Sequence, residues 1–149
     1  MDKRSMNVVQ SKELYRKCQN KVAVKQCYEN VYKIVTSVPA PFREGRWKVA
    51  FGYMDSGVAG LLLRHCFILD EFGRVIDPTI VAVKNKIKAE HGVDNEPWPN
   101  YYVMYSFSNI REYIDAMLRE KKFSFEKFLR PYDEAAWAWA REHGFALAG

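Results

Sequence analysis

The chain carries three cysteines, at positions 18, 27 and 66, and no Cys-x-x-Cys pair among them. A complete disulfide scheme would leave one thiol over, and a zinc site needs paired ligands at close spacing, so neither organises this sequence. Long apolar runs are missing too. No stretch approaches the roughly 20 apolar residues that cross a bilayer, and the N-terminal MDKRSMNVVQSKELYRK has no signal-peptide core. There is no glycine-rich phosphate loop, no internal repeat, no low-complexity segment and no linker. These absences lead to the expectation of a soluble protein in a reducing, cytoplasmic setting, with no membrane partner, no metal and no cofactor.

What is present is enough for one core. With 149 residues, 48% of them hydrophobic and 15% aromatic, the whole of 1–149 reads as a single domain. The net charge of +5 is uneven. Residues 1–48 hold eleven Lys and Arg against four Asp and Glu, a net of +7, so the remainder nets −2. A basic N-terminal third of this kind suits an acidic protein surface or a nucleic-acid-associated partner, and equally a solvated helical face.

Hydrophobic periodicity divides the chain. Residues 8–17 suggest a first amphipathic helix. Cys27, Val31, Ile34, Val35 and Val38 recur at helical spacing until Pro39 and Pro41 stop the helix, which puts Cys27 in its first turn. The period then changes to two. Trp47, Val49, Phe51 and Tyr53 alternate with Lys48, Ala50, Gly52 and Met54 as a strand. Leu61 to Leu69 forms a second strand, apolar on both faces and therefore central. A short Asp70–Gly73 loop returns the chain along Arg74 to Asp77, where Pro78 ends the pairing. His65 and Asp77 thereby become cross-strand neighbours. VAVKNKIKAEHG reads as helical or irregular up to Gly92, the loop around Trp98 follows, and YYVMYSF is a further strand. In the helical part at 108–149, Ser108, Ser124 and Asp133 are the expected N-caps, the short helix that Ser124 begins ends before Pro131, and Gly144 is the final stop. Trp98, Trp137 and Trp139 are expected in the core. The fold class is α+β: a small antiparallel β-sheet packed with N-terminal and C-terminal helices.

Three residues then stand out for chemistry. A thiol at a helix N-terminus meets the positive end of the macrodipole, which stabilises a thiolate. An imidazole on a neighbouring strand can serve as base, and a carboxylate on the next strand can orient it. Cys27, His65 and Asp77 fill these roles in that order. Each has a plainer reading alone: a small buried hydrophobe, a core histidine bonded to a carbonyl, and a cap for the turn at Pro78 and Thr79. Their conjunction favours the triad. Gln19, Asn20, Gln26 and the backbone N–H of Cys27 are the candidate oxyanion donors.

The same residues carry a resemblance. Cys27 at a helix start, Gly52-Tyr53 on a strand, His65-Cys66-Phe67, and the closing Val75-Ile76-Asp77-Pro78-Thr79 make residues 26–79 similar to the transglutaminase-like branch of the papain-like cysteine enzymes. That resemblance implies a papain-like/transglutaminase-like core, with Cys27 as nucleophile, His65 as base and Asp77 as the group that orients the ring. It implies cysteine-dependent acyl transfer or amide hydrolysis, of peptidase, deamidase or transglutaminase type, on a protein or peptide substrate. The alternative is a non-catalytic binding module on the same fold, in the manner of a phage or mobile-element inhibitor, engaging an acidic or nucleic-acid-associated partner through its basic N-terminal third.

Overall fold

A computed structural model describes residues 1–93, 97–120 and 125–149. In chain order these form β1 (Asp2–Arg4), α1 (Val8–Cys18), α2 (Cys27–Ser37), α3 (Ala40–Arg43), β2 (Lys48–Asp55), β3 (Leu61–Leu69), β4 (Val75–Ile76), α4 (Pro78–His91), β5 (Tyr101–Ser106), α5 (Ile110–Arg119), α6 (Glu126–His143) and β6 (Ala146–Ala148). The architecture is α+β. The strands join in one sheet of order β1-β5-β2-β3-β4, with β6 added to β3.

The sheet is mixed, which corrects the expectation of an antiparallel one: β6 runs parallel to β3, pairing Leu61 with Ala146 and Leu63 with Ala148. Neither β6 nor β1 has the length or the apolar alternation that marks a strand in sequence. Each is recruited by an edge already in place. The left-handed Gly144 (φ 76°) ends α6 and turns the chain back toward β3.

One face of the sheet carries Val49, Phe51, Cys66, Ile68 and Ile76 against Leu14, Val31, Ile34, Val35, Phe107, Tyr113, Phe125 and Leu129 from the helices and their flanking loops, which makes the main core. Ala50, Phe67, Leu69, Val75 and Tyr101 form a separate cluster on the other. The helix spacing predicted for α2 is borne out by its buried Val31, Ile34 and Val35.

Several boundaries move for identifiable reasons. Strand β4 stops at Ile76, because Asp77 is the N-cap of α4, with Pro78 in the first turn where its missing N–H costs nothing. Asn109 caps α5 in place of Ser108: its Oδ1 accepts the Glu112 N–H at 2.9 Å, and Glu112 reaches back to the Ser108 N–H. The C-terminal segment expected to break at Pro131 is one helix through it, so Asp133 does not cap. Its carboxylate instead takes Arg64 Nη2 at 2.5 Å. Ser124, the other expected cap, lies outside the described residues. Trp137 is exposed and Trp98 is approached by the Lys12 and Lys84 ammonium groups outside the core clusters, whereas Trp139, stacked on Phe145, packs as expected.

Gly52 shows how tightly the central strands meet. It stands opposite His65 on β3, and on its other side a register shift between Phe51 and Gly52 skips Met104 of β5. A Cβ at this position would lie 2.0 Å from the Tyr102 carbonyl oxygen, a backbone atom that cannot step aside. Gly52→Ala should therefore destabilise the protein by about 3 kcal/mol, the upper part of the range for overpacking. Urea denaturation measures this, and an unchanged midpoint would contradict the close approach.

Candidate functional site

Strand β3 is paired unevenly along one edge. There β6 covers residues 61–63 and β4 covers 68–69, which leaves Arg64 to Phe67 without a strand partner on that side among the described residues. Two helix N-termini come to this interval. Asp77, placed by the register opposite Phe67 and diagonal to His65, begins α4, and Cys27 begins α2.

Asn30, fully buried one turn into α2, ties the two helix starts together. Its amide Nδ2 donates to the Thr79 hydroxyl at 3.0 Å and to the Ala23 carbonyl at 2.7 Å, while its Oδ1 accepts the Ala23 N–H at 3.0 Å. The segment entering α2 is thus fastened to the first turn of α4. Within it Lys25 takes a left-handed conformation (φ 63°), which costs a non-glycine residue on the order of 1 kcal/mol or more and persists only where its surroundings impose it. The N-cap residue Gln26 makes no side-chain hydrogen bond to the first turn of α2, so its side chain satisfies none of the N–H groups there.

His65 and Asp77 meet inside the protein, at 5% and 1% exposure. The imidazole Nε2 and the carboxylate Oδ2 are 2.7 Å apart. The Tyr101 hydroxyl donates to the same oxygen at 2.6 Å, and Oδ1 accepts the Ile80 N–H at 3.4 Å. The backbone N–H of Asp77 donates to Ser11 Oγ on α1 at 2.9 Å. The rings of Phe67 and Tyr101 pack about the imidazole, each at 6.1 Å between centroids. With Nε2 engaged by the carboxylate, Nδ1 is the ring nitrogen left for another partner.

The Cys27 thiol is near enough to this imidazole to act on its charge. Burial opposes a charge on the ring, but the Asp77 carboxylate and then Cys27 outweigh it, and His65 is pushed up to about 10. Of the three residues singled out in the sequence, His65 and Asp77 are thus in direct contact and Cys27 is near enough to influence the ring. Cys27 is half-buried, whereas Cys18 and Cys66 are buried, and burial pushes the pKa of each of those two thiols up.

Other candidates fall elsewhere. Gln19, Asn20 and Gln26 have exposed side chains. Tyr101, Asn30 and Ser11 hold the geometry without having been marked by the sequence; the nearest signal was Asn30, a polar residue at helical spacing within an apolar stripe. Among the described residues no three His, Cys, Asp or Glu side chains group as metal ligands. A groove of about 790 Å³ runs between the Asp55–Gly60 turn, α4 and the loop at Trp98. It does not contain the three residues themselves, but its wall includes Leu63 and Ile80, neighbours of His65 and Asp77. No family model, curated protein or solved structure matches the chain. Among the described residues no helix is long and apolar enough to cross a membrane.

A histidine whose pKa rises from 6.5 to about 10 on folding contributes stability that is complete below about 6.5 and disappears as the pH rises through about 10. The stability gap between the native chain and His65→Gln should accordingly narrow from about pH 7 to about pH 10 in urea denaturation. A gap that widens over that interval would show that the folded state does not retain the proton.

Proposed function

We propose that the protein is a thiol-dependent acyl-transfer or amide-hydrolysing enzyme acting on a protein or peptide substrate, with Cys27 as nucleophile, His65 as acid and base, and Asp77 orienting the ring. The observation that carries this reading is the 2.7 Å contact of His65 Nε2 with Asp77 Oδ2, on an imidazole whose charge also responds to Cys27 at a helix start. It is also the reading implied by the resemblance of residues 26–79 to the transglutaminase-like branch of the papain-like enzymes, including a papain-like core.

The chemistry follows from the proton positions. Asp77 keeps the Nε2 proton in place, and the proton that His65 carries on Nδ1 near neutral pH is the one the Cys27 thiol gives up. The thiolate attacks the carbonyl carbon, and the imidazolium then protonates the departing amine. Water, with His65 as base, releases the acid from the thioester; an amine in its place gives transamidation. The positive end of α2 stabilises negative charge at Cys27 throughout.

Alkylation by iodoacetamide near neutral pH should be faster at Cys27 than at the buried Cys18 and Cys66. Exposure alone would produce that order, so the deciding measurement is the His65→Ala variant. Its Cys27 rate should fall about 100-fold, the lower end of what a positioned base contributes. A rate that survives the substitution would sink the enzyme reading.

A second reading, a binding module for an acidic partner, is favoured by one arrangement: Lys12 of α1 and Lys84 of α4 both approach the Trp98 ring, at 5.6 and 4.7 Å, beside the basic residues of α1. Replacing Lys12, Arg16, Lys17 and Lys21 with Gln should then lower the salt needed for elution from immobilised heparin while leaving Cys27 alkylation unchanged. Elution at the native salt concentration would count against a basic docking face.

A further inference from the structure

The hydroxyl of Tyr28 is buried and has no hydrogen-bond partner among the described residues. A phenol removed from water ordinarily finds one, and leaving it unpaired costs about 1–3 kcal/mol, a cost that phenylalanine would avoid at no loss of packing. The ring is held by its neighbours alone, against Phe51 and Phe125 at centroid separations of 5.4 and 5.6 Å. Tyr28 follows Cys27 directly in the first turn of α2. Its hydroxyl interacts electrostatically with Cys66, Cys27, Arg64 and Tyr53, and burial followed by the two thiols keeps it protonated. The Arg64 guanidinium that acts on it is pinned to Asp133 through Nη2, and its Nε is buried with no hydrogen-bond partner among the described residues. A neutral donor short of an acceptor thus follows the candidate nucleophile directly in the first turn of α2 and interacts with its thiol.

We propose that Tyr28 is a catalytic residue whose hydroxyl donates a hydrogen bond to the oxyanion formed when Cys27 attacks an acyl carbonyl. This rests on the assignment of Cys27 as nucleophile. In the attack a sulfur lone pair forms the C–S bond and the carbonyl π pair moves onto oxygen. The Tyr28 hydroxyl gains its acceptor at that moment, so the interaction is strongest in the transition state and lowers the barrier. Collapse returns the electron pair to the C–O bond, the leaving group departs with the bonding pair, and the Tyr28 proton stays on its own oxygen. Gln19, Asn20 and Gln26, whose side chains are exposed, are not needed for this role.

The test separates two reactions of one thiol. Acylation by p-nitrophenyl acetate passes through an oxyanion and releases p-nitrophenolate, which a stopped-flow burst records. Alkylation by iodoacetamide is displacement at a saturated carbon and forms no oxyanion. Tyr28→Phe keeps the ring and its packing, and it should slow the acylation burst about 10- to 100-fold, approaching the loss seen when a single oxyanion donor is removed. The alkylation rate of Cys27 and the thermal midpoint should not fall. An undiminished burst in Tyr28→Phe, or an equal fall in burst and alkylation, overturns the proposal. Cys27→Ala tells which assignment has failed: if it abolishes a burst that Tyr28→Phe leaves intact, only the Tyr28 role is lost. A burst that persists in Cys27→Ala overturns both.

Discussion

A carboxylate at 1% exposure is the constraint around which this fold is arranged. Taking Asp77 out of water costs several kcal/mol unless its oxygens find partners, and those partners come from separate parts of the chain. His65 on β3 and Tyr101 on β5 share Oδ2, the Ile80 N–H of α4 takes Oδ1, and Ser11 of α1 receives the Asp77 backbone N–H. Two strands and two helices are thereby held in register at one point, where β4 has ended and, among the described residues, one edge of β3 has no strand beside it. Asn30 extends the same network to α2.

The consequence for chemistry is preorganisation. The imidazole cannot turn, because one nitrogen is bound to a carboxylate that is itself held, and aromatic rings pack about it. The thiol is carried to it by a helix whose start is fastened through Asn30 and entered through the left-handed Lys25. Strain at Lys25 and a buried phenol without a partner among the described residues at Tyr28 flank Cys27 on either side. Both features cost stability, and a stretch that accumulates such costs around one side chain is where function is expected to reside.

Much of this was legible as pattern. The strand Leu61–Leu69 emerges from alternation with both faces apolar, and the helix starting at Cys27 from spacings of three and four ended by proline. For Asp77 the sequence allowed an orienting carboxylate or a cap, and the structure has it hydrogen-bonding in both ways, one oxygen to His65 and the other to the α4 backbone. The strands β1 and β6 were not legible. Three residues such as Asp2–Arg4 or Ala146–Ala148 have no period to detect, and they become strands only because an edge is waiting for them. The same limit applied at Pro131, where proline's local preference to end a helix yielded to the helix that continues through it.

The sequence by itself therefore determined the elements whose apolar residues recur, since burial of a face requires a period, and it determined which side chains carry reactive groups. Tertiary structure alone decided the mixed sheet, the meeting of α2 with the edge of β3, and the choice of Tyr101, Asn30 and Ser11 as the groups that satisfy the buried polar atoms. Those are hydrogen bonds between residues from 24 to 66 positions apart, and no local preference of the chain distinguishes the tyrosine or serine that will make them from one that will not.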